Sequence, residues 1–481
     1  MNRLKKNLFY NVIYQILILI VPFITTPYVS RVFLADGLGT YSVTSAIAKY
    51  FWLFALLGMA NYGNRTISIS RKNKDDVSKT FWNLFYFQAI ISTIIFIAYL
   101  IYVVKIGYKA YNIISICQIP YVLSAFFEIS WFFYGTEQFR FMVIRNAIIK
   151  VVTTILIFAL VRTQNDVWIY TLINAISTLA GQVLIWPFLL KNTNFVKPNW
   201  EIIKGHFKPN CILFVSVVAV SIYTLMDKIM IELLSTRSEV GYYENTEKIL
   251  NMCNSITGAI GAVMLPRISY LMGKKDDTNI YMYLAKSMKY IMLISIAMSF
   301  GIAGIGKEFA IVFFGKEFAA CGTSLIVISV AIMFYSWENI LRTQYLLPGC
   351  RDNIFVKGTI YAAITNLILN SIFIPKLGAL GAVIGTAGAQ FSAAFYQSIS
   401  VRKELPIISY IRTLIPFIFF GEIMFIYCRI IGKLFGSHIL TVIVQVLGGA
   451  IIFSGLSLVY LVLEKDPLII NMQKKLRNKL N

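Results

Sequence analysis

Residues 211–234 read CILFVSVVAVSIYTLMDKIMIELL, an almost unbroken apolar run with an acid and a base, Asp227 and Lys228, side by side near its end. At about 1.5 Å per residue, such a run crosses the roughly 30 Å hydrocarbon core of a bilayer as a single helix. Comparable runs recur about fourteen times, with cores near 8–30, 41–61, 81–104, 112–134, 143–162, 167–190, 210–233, 242–266, 285–306, 323–345, 355–374, 379–401, 410–431 and 438–463. The 481 residues are 58% apolar and 14% charged, with mean hydropathy +0.71; soluble domains are about 45–50% apolar. Continuous runs also exclude an outer-membrane barrel, whose strands are roughly ten-residue segments of alternating polarity. The expectation is an all-α polytopic membrane protein of about fourteen transmembrane helices.

A formal charge of +22 raises the question of nucleic acid, which the placement of the basic residues answers. Lys and Arg gather at the N-terminus and in alternate connections (Arg71, Lys72, Lys74, Lys79; Lys274, Lys275; Lys474, Lys475, Arg477, Lys479), outnumbering the opposite set by roughly three to one. That asymmetry predicts an even number of spans with both termini cytoplasmic. The interhelical connections are too short to fold as a nucleic-acid-reading domain. MNRLKK opens a first run too long for a signal-peptide core, so it reads as a retained first helix. Cys117, Cys211, Cys253, Cys321, Cys350 and Cys428 show no CxxC spacing, and His206 and His438 are the only histidines. These counts exclude a disulfide framework, a zinc site and a Ser-His-Asp arrangement, and no cofactor is implied.

Three glycine turns echo one another: GLGTYSVTSA at Gly37 to Ala46, EVGYYENTEK at Glu239 to Lys248, and GALGAVIGTAG at Gly378 to Gly388. Either they mark two related halves or they only start helices after tight turns. A charged connection at Lys191 to Asn210 separates the halves. The chain divides on this reading into an N-terminal lobe of helices 1–6 (1–195), a C-terminal lobe of helices 7–12 (196–402), pseudo-symmetric with it, and a final helix pair with a basic tail (403–481). Pro22 and Pro27 weaken the ladder of the first helix and predict bends.

Charges inside the runs carry the functional signal. Lys49, Glu128, Lys150, Asp227, Lys228, Glu247 and Glu422 would each cost about 2.5–3.5 kcal/mol facing lipid. Together that is roughly 20 kcal/mol, more than the ~5–15 kcal/mol stability of a whole fold. They must pair or face a wet space. Residues four apart on a helix meet, so Glu244 with Lys248 and Glu338 with Arg342 are expected as local pairs. Neighbours diverge by about 100°, so Asp227 and Lys228 cannot neutralise each other well, although Lys228 can reach Glu232. Lys49 and Lys150 have no acid at helical spacing. A water-filled cavity is the expectation for them, with pairing across helices or snorkelling as the alternatives. WFFY (Trp131 to Tyr134) reads as an aromatic belt rather than a sugar-stacking platform.

The runs WFFYGTEQFRFMVIRNAIIK (131–150), TPYVSRVF (26–33), NYGNRTIS (61–68), MDKIMIELLSTRSEVGYYENTEKI (226–249), MLPRIS (264–269), QYLLPGCRD (344–352) and NLILNSIFIPKLGALGAVIGT (366–386) resemble the bacterial polysaccharide repeat-unit flippases. Those proteins belong to the multidrug, oligosaccharidyl-lipid and polysaccharide exporter superfamily. FLADGLG (33–39) departs from the family's usual first turn. The resemblance implies a V-shaped bundle of two six-helix lobes plus two helices in the bacterial cytoplasmic membrane. Its cargo would be an oligosaccharide on undecaprenyl pyrophosphate, moved from the cytoplasmic to the outer leaflet by alternating access. Expected partners are membrane lipid, a coupling proton or sodium ion and other polysaccharide assembly proteins. Lys49, Lys150 and Lys228 would line the cavity, with Arg31 and Arg65 at its ends, and Asp227, Glu128, Glu247 or Glu422 would bind the coupling ion. No GxxxxGK[ST] pattern points to ATP. The rivals are a drug exporter of the same superfamily, a membrane polymerase or ligase, and a non-transporting scaffold.

Overall fold

The computed structural model describes residues 3–71, 73–274, 277–467 and 470. The tail basics Lys474, Lys475, Arg477 and Lys479, with Lys72 and Lys275, lie outside them. The principal helices are α1 (Arg3–Leu56), α2 (Met59–Ser70), α3 (Lys74–Tyr102), α4 (Ile119–Phe127), α5 (Ser130–Gly135), α6 (Phe139–Leu160), α7 (Val167–Val183) and α8 (Phe207–Leu234). They continue as α9 (Arg237–Gly273), α10 (Asp277–Phe309), α11 (Cys321–Leu341), α12 (Asp352–Leu377), α13 (Ala379–Val401), α14 (Ile407–Phe435) and α15 (Ile439–Leu463). No strand occurs among the described residues. In a bilayer only a structure that satisfies its own backbone can span, and helices do so locally.

Eleven runs among the described residues are long and apolar enough to cross a membrane, rather than the expected fourteen. Part of the difference is that Ile20–Ser70 is 51 residues of near-continuous helix, about two crossings. Helices α9 and α13 are not among the eleven; in α13 small residues and two glutamines dilute the hydropathy. Within α1 the backbone leaves helical geometry at Leu34 (φ 57°, ψ −172°). That break lies in FLADGLG, beyond Pro22 and Pro27.

The chain forms two compact units, residues 1–245 with 366–382, and residues 246–365 with 383–481. In the first, α3 and α5 supply an aromatic core. Trp131, Phe132 and Phe133 are almost fully buried. The Trp131 ring stacks on Phe81 with centroids 5.4 Å apart, and its indole N–H donates to Gln88 Oε1 at 2.9 Å. WFFY is therefore core rather than an aromatic belt: its amide partner on α3 lets the indole be buried, and only Tyr134 of the four is exposed.

The three glycine turns meet within this unit. A Cβ on Gly39 would lie 1.9 Å from the carbonyl oxygen of Arg237, and one on Gly241 would lie 2.1 Å from that of Ala35. The two turns thus pack reciprocally, backbone on backbone. Gly378, at φ +54°, sits against the Glu239 carboxylate, which accepts the Ala379 N–H at 2.7 Å. Tight approach, and not only helix initiation, explains why glycine recurs in all three.

The second unit buries Trp337, Tyr410 and Phe417 among α10, α11, α14 and α15. Several of its charges are matched internally. Arg429 on α14 donates to Glu308 on α10 at 2.8 Å, and Gln445 on α15 donates to the same carboxylate oxygen at 3.3 Å. Glu338 meets Arg342 at 3.5 Å, as the four-residue spacing predicts, and also accepts from Gln397 on α13 at 3.0 Å. Between α13 and α14, outside the spans, the Tyr345 hydroxyl and then Arg351 hold the Glu404 carboxyl below its ordinary range.

Candidate functional site

Helix α8 ends at Leu234, and α9 starts two residues past Ser235 at Arg237, where the Glu239 N–H donates to the Thr236 hydroxyl at 3.4 Å. Residues equally far from so short a turn lie side by side on the antiparallel helices. Asp227 and Tyr243 are 16 apart, as are Lys228 and Glu244, and both pairs form. Lys228 Nζ reaches Glu244 at 2.6 Å, with the two residues 6% and 8% exposed. The Ser42 hydroxyl donates to the same Glu244 oxygen. Asp227, fully buried, accepts from the Tyr243 hydroxyl and from Asn370 of α12 at 2.8 Å. Asn370 also donates to Asn366 at 3.2 Å.

The adjacent charges therefore diverge, as helical geometry predicts, but their partners differ from the expected ones. Lys228 pairs with Glu244 and not Glu232, which instead accepts from Arg237 at 3.1 Å. Glu244 is met by Lys228 across the hairpin, a partner that four-residue spacing did not suggest. Lys228, expected as an open cavity cation, is closed into a buried pair, because the hairpin register sets the Glu244 carboxylate beside it.

A cavity of about 440 Å³ opens elsewhere in the first unit, bounded by α1, α6, α7 and the segment joining α4 to α5. It brings together two of the expected residues, Glu128 and Lys150, and adds Arg145, one helical turn or so before Lys150 on α6. Glu128 is 8% exposed and accepts the Ser130 N–H at 2.8 Å. The Arg145 guanidinium donates to Asn146 at 2.7 and 3.0 Å, to the Gly181 carbonyl at 3.0 Å and to Gln182 at 3.3 Å. Arg145 sat in plain view within FRFMVIRNAIIK. Its five-residue offset from Lys150 matches no pair spacing, so no sequence signal singled it out.

The other expected residues do not line this cavity. Arg31 is exposed and Lys49 half-buried on α1, and Arg65 is exposed on α2. Glu247 is half-buried on α9 and Glu422 exposed on α14, both in the second unit. Among the described residues no group of three or more His, Cys, Asp or Glu side chains has a metal-binding arrangement.

Residues 4–272 match the family described as polysaccharide biosynthesis protein. The chain is 25% identical over 219 residues, 44% of its own length and 45% of the relative's, to the "Probable low-salt glycan biosynthesis flippase Agl15" of Haloferax volcanii. It is 22% identical over 370 residues to the "Putative O-antigen transporter" of Escherichia coli K12, covering 76% of this chain and 89% of that one. Among solved structures, the lipid II flippase MurJ in an inward closed conformation superposes with TM-score 0.74 at 16% identity, over 94% of this chain and 98% of that one. An inward-facing multidrug resistance MATE transporter superposes with TM-score 0.58 at 14% identity, over 83% and 99%. With more than half its length matched to the family model, this chain belongs to the polysaccharide biosynthesis protein family.

Proposed function

We propose that this chain is a flippase that moves an oligosaccharide repeat unit linked to undecaprenyl pyrophosphate from the cytoplasmic to the outer leaflet of the inner membrane. It works by alternating access between two six-helix lobes, with both termini cytoplasmic. The observation that carries this reading is a charged, amide-rich cavity inside a bundle of membrane-spanning helices. A sugar hydroxyl stripped of water costs ~4–8 kcal/mol in hydrocarbon, so one ring with three of them meets a barrier of roughly 12–24 kcal/mol. A polar path removes most of that barrier. Lys150 lines the cavity, and Arg31, Lys49 and Arg65 add positive charge to the path of an anionic headgroup. The names of the relatives, a glycan flippase and an O-antigen transporter, support this cargo class.

Asp227 is the coupling-ion site in this reading. It is a fully buried carboxylate, and Asn370 and Asn366 beside it each keep a buried amide atom without a partner among the described residues. A proton or a sodium ion entering there would change the charge of a site that ties α8, α9 and α12 together. Glu128, Glu247 and Glu422 are the secondary candidates.

The test is polysaccharide display on cells whose own flippase is deleted. The chain should restore display. Asp227→Asn should reduce it at least tenfold, and Lys150→Gln severalfold, at unchanged protein levels in the membrane. Full display with both variants removes these residues from the mechanism. Resistance to cationic drugs without any display supports the drug-exporter reading, since the chain shares its fold with a MATE transporter as well.

A further inference from the structure

The cavity in the first unit has a lining that a site for phosphate alone would not need. A phosphate group presents only acceptors and calls for donors, yet a buried carboxylate, Glu128, shares the wall with Lys150 and Arg145. Arg145 is already hydrogen-bonded to Asn146, Gln182 and the Gly181 carbonyl. Those bonds hold the two amides in place. What lines the space is a mixture of donors and acceptors: the amides of Asn146, Asn174 and Gln182, the hydroxyls of Ser177 and Thr178, one carboxylate, one ammonium group and one guanidinium, with Asn174 also donating to the Tyr170 carbonyl and Thr178 to the Asn174 carbonyl. Sugar hydroxyls each donate and accept, and a mixed wall is what they require.

Two further observations point the same way. Trp52 and Tyr134 line the cavity, offering aromatic surface to the apolar C–H face of a sugar ring. The Trp52 indole nitrogen is buried with no hydrogen-bond partner among the described residues, although a buried donor ordinarily finds one. That nitrogen has almost no accessible surface, so it meets a ligand oxygen only once the ring turns toward the space. Size agrees as well. A hexose takes roughly the space of six waters, about 180 Å³, so a cavity of about 440 Å³ holds one or two rings. That volume is within the ~300–1,000 Å³ usual for ligand sites.

We infer that this cavity, bordered by α1, α5, α6, α7 and the segment joining α4 to α5, is a saccharide subsite that binds one or two sugar rings of the cargo headgroup and selects among repeat units. The inference rests on the flippase reading, and it assigns sugar recognition to the amides and to Trp52 while leaving the pyrophosphate to cations outside the cavity.

The experiment uses the full chain in lipid nanodiscs and saturation-transfer-difference NMR. The probes are free glucose, galactose, mannose, rhamnose, N-acetylglucosamine and glucuronic acid, with inorganic phosphate as competitor. At least one sugar should show saturation transfer that survives phosphate. The signal should fall roughly fivefold or more, the loss expected for one buried hydrogen bond, in both Trp52→Phe and Asn174→Leu. Thermal melts establish that the variants are folded, and Ser177→Val is read if Asn174→Leu is not. Three results each overturn the inference: no sugar gives a signal, phosphate abolishes the signal, or the signal is unchanged in the folded variants. Display by the wild-type chain in flippase-deleted cells is scored in parallel. Loss of display there refutes the flippase reading, whereas display without a cavity-dependent sugar signal refutes the subsite alone.

Discussion

Gly39→Ala should leave little folded protein in the membrane. The added methyl carbon would lie 1.9 Å from the carbonyl oxygen of Arg237 and 2.9 Å from its carbonyl carbon. Both belong to backbone, so no side chain can rotate away. Relief requires α9 to shift off α1, and that shift would disturb the reciprocal contact at Gly241, whose own Cβ would stand 2.1 Å from the Ala35 oxygen. Overpacking of a well-packed core costs about 1–3 kcal/mol when side chains can adjust. Here the adjustment falls on two backbones at once, so a loss at or above the upper end is expected. Against a total of ~5–15 kcal/mol, that loss is severe. The measurement is the fluorescence-detected size-exclusion profile and melting temperature of the solubilised protein. Gly241→Ala should behave in the same way. Gly455 on α15 has nothing within 4 Å of its Cβ position, so Gly455→Ala should be neutral or slightly stabilising, because helices favour alanine over glycine by roughly 0.5–1 kcal/mol. A Gly39→Ala protein as stable as wild type would refute the close approach of the two turns.

The second large effect is expected at the hairpin. Lys228→Met should destabilise the protein by about 3–5 kcal/mol, because removal of one partner strands a buried charge on the other. Glu244 would keep only the Ser42 hydroxyl of the two donors described for it. Replacing both partners, Lys228→Met with Glu244→Gln, should recover most of the loss, since an uncharged pair of similar size needs no compensation. Chemical unfolding of the two single variants and the double variant closes a mutant cycle. A double variant no better than Lys228→Met would show that the two side chains do not depend on each other. The contrast with Lys150→Gln is part of the prediction: Lys150 lines a cavity, so its loss should lower transport with little effect on melting.

Much of the architecture was legible because a bilayer leaves a chain few options. Apolar runs of about twenty residues must be helices, and they are. The divergence of Asp227 and Lys228 followed from helical periodicity alone, as did the contact of Glu338 with Arg342. The partners chosen across helices did not follow. Lys228 finds Glu244 through the length of a turn, and Asp227 finds Asn370 143 positions away. Four-residue spacing ranks only neighbours on one helix, so for Lys228 it named Glu232 and passed over the hairpin register. WFFY misled for a related reason. Aromatic residues near a span end read as interfacial, but a glutamine on another helix satisfied the Trp131 indole and allowed its burial.

What the sequence determined by itself is the solvent, the helical class and the presence of charges too expensive to face lipid, because all three depend on local composition and the period of one helix. Tertiary structure alone decided which of those charges are spent on one another and which line a cavity. It also decided that glycine turns far apart in the chain pack on one another. Those outcomes depend on how helices distant in sequence are set against each other, and a side chain's neighbour across a packing interface leaves no mark on its own segment.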